Sequence, residues 1–317
     1  MSSTEIRLLE LPPGEARDLL ATGVPAWLPV NPVEYHGPHL TLWNDAIAGD
    51  AMARDLHSRL SRDHPEWPFV TLPDLGMGCG TAPGPGTRRV PFVEVRAAVL
   101  RACEALADLG ARRVVLTGLH GDPLHNLALW AGVEALAGRG VRTLVPMHSI
   151  LAAMIALDPG QFEPVLGPVA DPVDRDKLRA ELKHDFHAGF LEPSLVMHYR
   201  PDAVAASHVN LPPCPPFAPI RAVGALARAA RVAGSGAADE LDYAAHGLGW
   251  FGLRPFPGYT SRPHLANAAS GGMIADEILA ALLPIAVDVL DRGARPPEPP
   301  MRWLLPLTLD GRLDLTA

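Results

Sequence analysis

Cysteine is scarce in this chain. Three residues of 317, Cys79, Cys103 and Cys214, make an odd number with no C-x-x-C pair, which argues for a reducing compartment rather than a disulfide framework. Positive charge is not concentrated anywhere: 27 basic residues are outnumbered by 35 acidic ones, both spread along the chain, for a formal charge of −8. Without a basic block, neither nucleic acid nor an anionic membrane is expected as a partner. Long apolar runs are missing as well. The most apolar late stretch, "LAALLPIAVDVL", is interrupted by Pro284 and Asp288 and is too short to span a bilayer. The opening "MSSTEIRLLE" lacks the charged-then-apolar layout of a secretory signal. These absences lead to the expectation of a soluble, cytoplasmic protein.

What the chain has in quantity is apolar residues, 48% of the total. That is enough to bury a substantial core, as one large unit over 1–317 or as two modest ones, and the reading here favours one. A pass along the chain shows strands alternating with helices. "WLPV" (27 to 30) reads as a buried strand, followed by a helix over 46 to 60 whose apolar positions 47, 51, 52, 56 and 60 recur at helical spacing. "FVTL" (69 to 72) reads as a strand, and a Gly/Pro-rich loop follows. Next come a helix "VEVRAAVLRACEALADLG", a strand "RRVVLTG", a helix "NLALWAGVEALAGRG" and a strand "VRTLVPM". Repeated strand–loop–helix units of this length predict an α/β fold: a mainly parallel sheet with helices on both faces. "NLPPCPPFAPI" (210 to 220) reads as a proline-rich surface connector, and no internal repeat is visible.

In such sheets the binding crevice lies beyond the carboxyl ends of the strands. Segments rich in ligand-type residues fall there. "NPVEYHGPHLTLWNDAI" (31 to 47) brings Glu34, His36 and Asp45 just after the first strand, and "LHGDPLHN" brings His120 and Asp122 after "RRVVLTG". A third segment, "KHDFHAGFLEPS" (183 to 194), holds His184, Asp185, His187 and Glu192. Each has a plainer reading. Glu34 and His36 alone would more often be a surface pair, Asp45 is well placed to cap a helix, and the plainer alternatives are that His120 and Asp122 stabilise a turn before a helix at Asn126 and that His187 and Glu192 face solvent. Convergence changes the balance, because mixed imidazole and carboxylate groups on several strand-end loops are the donor set expected for zinc or manganese.

The same segments resemble a known family. "LPVNPVEYHGPHLTLWND" is similar to the creatininase-family element E-x-H-G-P-H-L-P followed by an aspartate, and "HAGFLEPS" to its H-A-G-x-x-E-T-S element. "GLHGDPLHN" corresponds to the N-G-H-G-G-N loop, "GPGT" (84 to 87) to the P-G-T turn, and "GYTSRPHLANAASG" (258 to 271) to a C-terminal G-x-P-x-x-A-x-x-x-G stretch, all in the family's order. The resemblance implies a single α/β domain, usually assembled as a homohexamer, that holds two divalent metal ions (Zn, Mn or Fe) and hydrolyses an amide bond of a small molecule. Carried over motif by motif, Glu34 and His36 would bind different metals, Asp45 would bridge them, and His120 would join the metal held by Glu34. Either Asp122 or Glu192 would complete the second metal's shell, with Glu192 preferred for its full length, and His187 matches the histidine assigned to proton transfer.

Departures from the family pattern bear on the substrate. Asn31 and Pro32 replace the usual glycine and serine, Thr41 stands for a proline, "GMGCGTAPGPGT" has lost a serine and a histidine, and Pro193 replaces a threonine. The expected metal positions survive while the loops around them diverge. This points to an amidohydrolase acting on a cyclic amide, formamide or related compound other than creatinine. A peptidase trimming a peptide precursor and a non-catalytic scaffold of the same fold are the alternatives.

Overall fold

In the computed structural model residues 5–313 are described. Positions 1–4 of the opening stretch and the last four positions of the expected 1–317 unit lie outside the described residues. Five strands, β1 (Glu5–Arg7), β2 (Pro25–Pro29), β3 (Phe69–Thr71), β4 (Arg113–Thr117) and β5 (Arg142–Leu144), form one sheet in the order β1-β3-β2-β4-β5. Each neighbouring pair is parallel. Continuous apolar runs such as Val114, Val115 and Leu116, all buried, suit a sheet covered on both faces. Prolines at the first and last positions of β2 need donate no ladder hydrogen bond, which is why they frame the strand without breaking it.

Between and after the strands run α1 (Pro13–Ala21), α2 (Asn44–Leu60), α3 (Phe92–Asp108), α4 (Pro123–Ala137), α5 (Pro146–Ile155), α6 (Glu163–Leu166), α7 (Pro172–Glu181), α8 (Leu191–Tyr199), α9 (Arg221–Val232), α10 (Ala237–Phe251) and α11 (Ala268–Leu290). α3 packs against α4, while α11 packs against α2 and α8. Close approach is built in by glycines. A Cβ at Gly132 of α4 would come within 2.7 Å of Val99 and 2.9 Å of Cys103 on α3, and one at Gly49 of α2 would meet the backbone of Gly118 at 3.1 Å. One hydrophobic core runs through these layers from Leu8 to Leu304.

The elements read from sequence are present with shifted ends. β2 starts two residues before the expected "WLPV" and stops at Pro29, and α4 starts at Pro123 rather than Asn126. "VRTLVPM" was expected to be all strand, but β5 ends at Leu144 and Pro146 opens α5, since proline fits the first helical turn. Pro284 interrupts the apolar run in composition but not the helix: α11 continues through it for 23 residues. No helix among the described residues is long and apolar enough to cross a membrane.

One register positions everything that follows. Along the central pair, Pro25 through Pro29 face Arg113 through Thr117 one to one, so β2 and β4 end at the same level. The loop carrying Glu34 and His36 and the loop carrying His120 therefore leave the sheet side by side.

Candidate metal centre

The loop after β2 is held in shape by backbone and side-chain clamps. Asn31 receives its place from Asp74: the Asn31 N–H donates to one Asp74 oxygen at 3.1 Å and its Nδ2 to the other at 2.6 Å, while its Oδ1 accepts from Leu119 N at 3.3 Å. A residue that looked like a departure from the family thus ties the β2 end to the β4 end. Further along, Thr87 of the "GPGT" turn accepts from Tyr35 N at 2.9 Å and donates to Ala82 O at 2.8 Å. Arg88 N donates to Val33 O at 2.9 Å.

Held this way, Glu34 and His36 point inward and are buried. Glu34 Oε1 accepts from Ala82 N at 2.5 Å. Its Oε2 lies 3.0 Å from Nδ1 of His120. Asp45 was a natural helix cap by sequence, yet Trp43 occupies the cap position and Asp45 lies in the first turn of α2 with its carboxylate buried in the site. Asp45 Oδ1 lies 3.0 Å from His36 Nε2, and its Oδ2 lies 3.6 Å from His120 Nδ1. Glu192, in the first turn of α8, comes from the far side: Oε1 lies 3.2 Å from His36 Nε2. Glu192 also accepts from Asn44 Nδ2 and, through Oε2 at 2.7 Å, from Ala188 N. Pro193 does not displace it, because the proline falls in the first turn of α8, where a missing N–H is tolerated.

Five of the seven residues to which the family resemblance gives a role thus form two overlapping trios, Glu34–Asp45–His120 and His36–Asp45–Glu192, each with its donor atoms within 4.8 Å of one another. Asp45 belongs to both. His187, on the loop before α8, forms a further grouping with Glu34 and His36; its ring stacks on His36 with centroids 4.3 Å apart, and its Nε2 reaches Tyr35 O at 3.1 Å. The backbone of His187 is fixed by Thr260 of the C-terminal motif, whose N–H donates to His187 O at 2.9 Å. Asp122 belongs to none of the groupings among the described residues. It caps α4, accepting from His125 N at 2.8 Å, as the plainer sequence reading allowed, while still lining the cavity over the site.

The protonation logic of the two ligand-type histidines is informative. His120 Nε2 lies 2.8 Å from the Cys79 carbonyl and must donate to it, which leaves the Nδ1 lone pair aimed at Glu34 and Asp45. His36 repeats the pattern: Nδ1 meets the Glu34 carbonyl at 3.1 Å, leaving Nε2 to face Asp45 and Glu192. A neutral imidazole lone pair pointed at two carboxylates is repulsive, so each position calls for a proton or a cation between donor atoms. Burial alone would push both imidazoles down, but the carboxylates outweigh it and hold His36 and His120 well above the ordinary histidine range. Glu34 Oε2 and Asp45 Oδ2 are buried and find no hydrogen-bond donor besides the His120 imidazole that faces them. Such carboxylate oxygens are costly unless paired with positive charge. The donor set therefore fits divalent cations of the zinc or manganese type.

Several supporting groups left no signal in sequence reading. The Cys79 carbonyl and the Ala82 N–H are backbone atoms on the Gly/Pro-rich loop. Asp185 was noted as ligand-type, but its Oδ2 accepts from Phe190 N and Leu191 N at 2.8 and 2.9 Å, which caps α8 from outside the helix. His39 Nε2 bonds to Ala188 O at 3.0 Å and ties the two ligand loops together.

Comparison with known proteins agrees with this architecture. The family model described as creatininase, creatinine amidohydrolase, matches residues 10–285. Among solved structures, a creatinine amidohydrolase (creatininase) is similar with a TM-score of 0.57 at 20% identity, covering 92% of this chain and 99% of its own. The structure named "Creatininase Mn" is similar with a TM-score of 0.57 at 19% identity, covering 91% and 100%, and another is a mutant creatininase of "Zn-Zn type". A putative creatinine amidohydrolase from Bacteroides fragilis NCTC 9343 gives a TM-score of 0.56 at 15% identity, covering 92% and 98%. No curated protein matches the chain. With its parallel sheet, its matched sequence model and its solved neighbours all in agreement, the chain belongs to the creatininase family.

Proposed function

We propose that the protein is a binuclear metal-dependent amidohydrolase that cleaves the C–N bond of a small amide other than creatinine. The observation that carries this reading is the double use of Asp45, one oxygen toward His36 and the other toward His120, which gives two adjacent donor sets one common carboxylate. Glu34, Asp45 and His120 would hold one divalent ion, and His36, Asp45 and Glu192 the other. Zinc and manganese are favoured by the donor types and by the descriptions of two solved relatives. Bound there, such ions make water nucleophilic near neutral pH and polarise an amide carbonyl.

The chain's own residues supply the rest. Hydrolysis forms a C–O bond from water and breaks the C–N bond, so one proton must leave the water and one must reach the departing nitrogen. His187 is suited to deliver the latter. It is half-buried beside the donor cluster on the cavity wall, and desolvation followed by the charge on His36 lowers its pKa below the ordinary histidine value, so its neutral ring can take up the proton that leaves the water and pass it to the departing nitrogen. Asp122 is pushed up to about 6, chiefly by burial, and sits on the same wall, where it can contact substrate. Metal content with amide hydrolysis tests the reading: protein purified without chelator should carry about two ions per chain and release amine or ammonia from amides. Metal-free protein with full amidase activity would overturn it. A hexameric assembly, expected from the family, belongs to the same proposal.

A further inference from the structure

A cavity of about 440 Å³ opens over the candidate centre, with Glu34, His120 and His187 in its wall. Beside those groups the lining includes Phe186, Tyr243, Leu248, Trp250, Phe251 and Met301, and Arg89 and Arg312 also contribute to it. The aromatic side chains are packed in place. The Phe186 ring meets both Tyr243 and Trp250 edge-on at 5.6 Å, and Trp250 spends its single N–H on Tyr259 O at 3.0 Å, so the indole offers the cavity no donor. The apolar wall begins immediately beside the reacting end, since the His187 and Trp250 rings are 5.1 Å apart. Of the segment "GWFGLRPFPGY" (249 to 259), Trp250 and Phe251 contribute to this wall.

Gly247 supplies a second, independent observation. It lies in the interior of α10, where glycine is less favourable than alanine by about 1 kcal/mol. Two residues on, Gly249 has a packing reason, because a Cβ there would lie 2.1 Å from Ala218 O. Gly247 has none: a Cβ would meet nothing within 4 Å, and the residue lines the cavity. The helix gives up stability at a point where the only gain is open volume for an occupant.

We infer that the substrate carries an aromatic or similarly bulky apolar group next to its scissile C–N bond, seated over Gly247 and against Phe186 and Trp250. This rests on the amidohydrolase reading for the chemistry and on the cavity alone for the group recognised. Burying a ring of that size predicts a preference of about tenfold to a hundredfold over an amide that lacks it.

The test uses the metal-loaded, full-length protein with phenylacetamide, N-benzylacetamide, acetamide and creatinine, measuring hydrolysis and, separately, equilibrium binding by tryptophan fluorescence and calorimetry. At least one aromatic amide should bind and react about tenfold or more better than acetamide, and Gly247→Leu should erase most of that preference by filling the cavity. Gly247→Ala serves as the folding control, read by thermal stability, which should be maintained or raised because a Cβ there meets nothing within 4 Å. Turnover of acetamide without binding of either aromatic amide would overturn the inference and leave the hydrolase reading standing, and turnover of creatinine alone would overturn the inference together with the exclusion of creatinine as substrate. Gly247-dependent binding of an aromatic amide without hydrolysis of any amide would support the inference and remove the hydrolase reading. Binding of no amide, or a preference unchanged by Gly247→Leu, would overturn the inference.

Discussion

Asp45 Oδ1 lies 3.0 Å from His36 Nε2, although Asp45 rides on α2 and His36 on the loop before it. The other oxygen of the same carboxylate turns to His120. If this carboxylate is shared between two ions, Asp45→Ala should lose both, and elemental analysis should fall from about two ions per chain toward zero. Full metal content in the variant would refute the shared role.

Glu192 and Asp122 should respond differently to neutral substitutions. Glu192→Gln removes a charge that faces His36 at 3.2 Å, and most of the ion on that side should go with it. Asp122→Asn keeps a good helix cap, so it should retain both ions, leave stability within about 0.5 kcal/mol and alter turnover. Loss of one ion in Asp122→Asn with full occupancy in Glu192→Gln would reverse the assignment.

Gly80 is fitted to Asp122. Its φ is +69°, and a Cβ there would lie 2.0 Å from Asp122 Cγ. Gly80→Ala should cost about 2 kcal/mol or more, from left-handed backbone strain and from displacement of the half-buried carboxylate that caps α4. Thermal unfolding measures this, and an unchanged midpoint would show that the loop relaxes freely.

His57 should make stability fall in acid. Burial lowers its pKa from 6.5, its ring packs 4.9 Å from Phe69, and its Nε2 meets Trp67 O at 3.0 Å. The unfolded chain therefore takes up a proton before the folded one does. The stabilisation is full above the ordinary histidine pKa and is lost as pH falls below it. His57→Gln, which keeps a donor for Trp67 O, should flatten the decline in denaturant midpoint below pH 6.5. It should not abolish the decline, because burial also pushes His148 down to about 4. Identical slopes in the two proteins would contradict the assignment.

Assembly is open to light scattering. Leu226 and Val232 of α9 are 59% and 91% exposed, and apolar side chains left in water are a reason to associate. A homo-oligomer, hexameric by family expectation, should be stable at micromolar concentration. A monomer there would count against it.

Much of the centre was legible because its residues sit where two unmistakable apolar runs stop. "WLPV" and "RRVVLTG" mark the strands, so Glu34, His36 and His120 could be placed at one edge before any contact was known. Asp45 was ambiguous, since an acidic residue at a helix start serves a cap or a ligand equally well, and only the register of α2 separates the two. β1 went unread because three residues, Glu5, Ile6 and Arg7, are too few to show a period. The oxygen of Cys79 and the N–H of Ala82 carry no side-chain signature at all. Nor could local pattern reveal that Phe186 and Trp250 meet, because that contact is set by how distant segments pack.

The shared end of β2 and β4 also limits how this molecule can change. Each residue of a parallel strand advances about 3.3 Å, more than the 3.0 Å between Glu34 on the loop after β2 and His120 on the loop after β4. A one-residue deletion in either strand would carry its loop past the point of contact, and no rotamer adjustment could restore it. Inserted length in an exposed turn away from that edge, such as 233–236 between α9 and α10, leaves that contact in place. The sheet edge works as a datum line, and the chain's freedom to vary in length is rationed by distance from it.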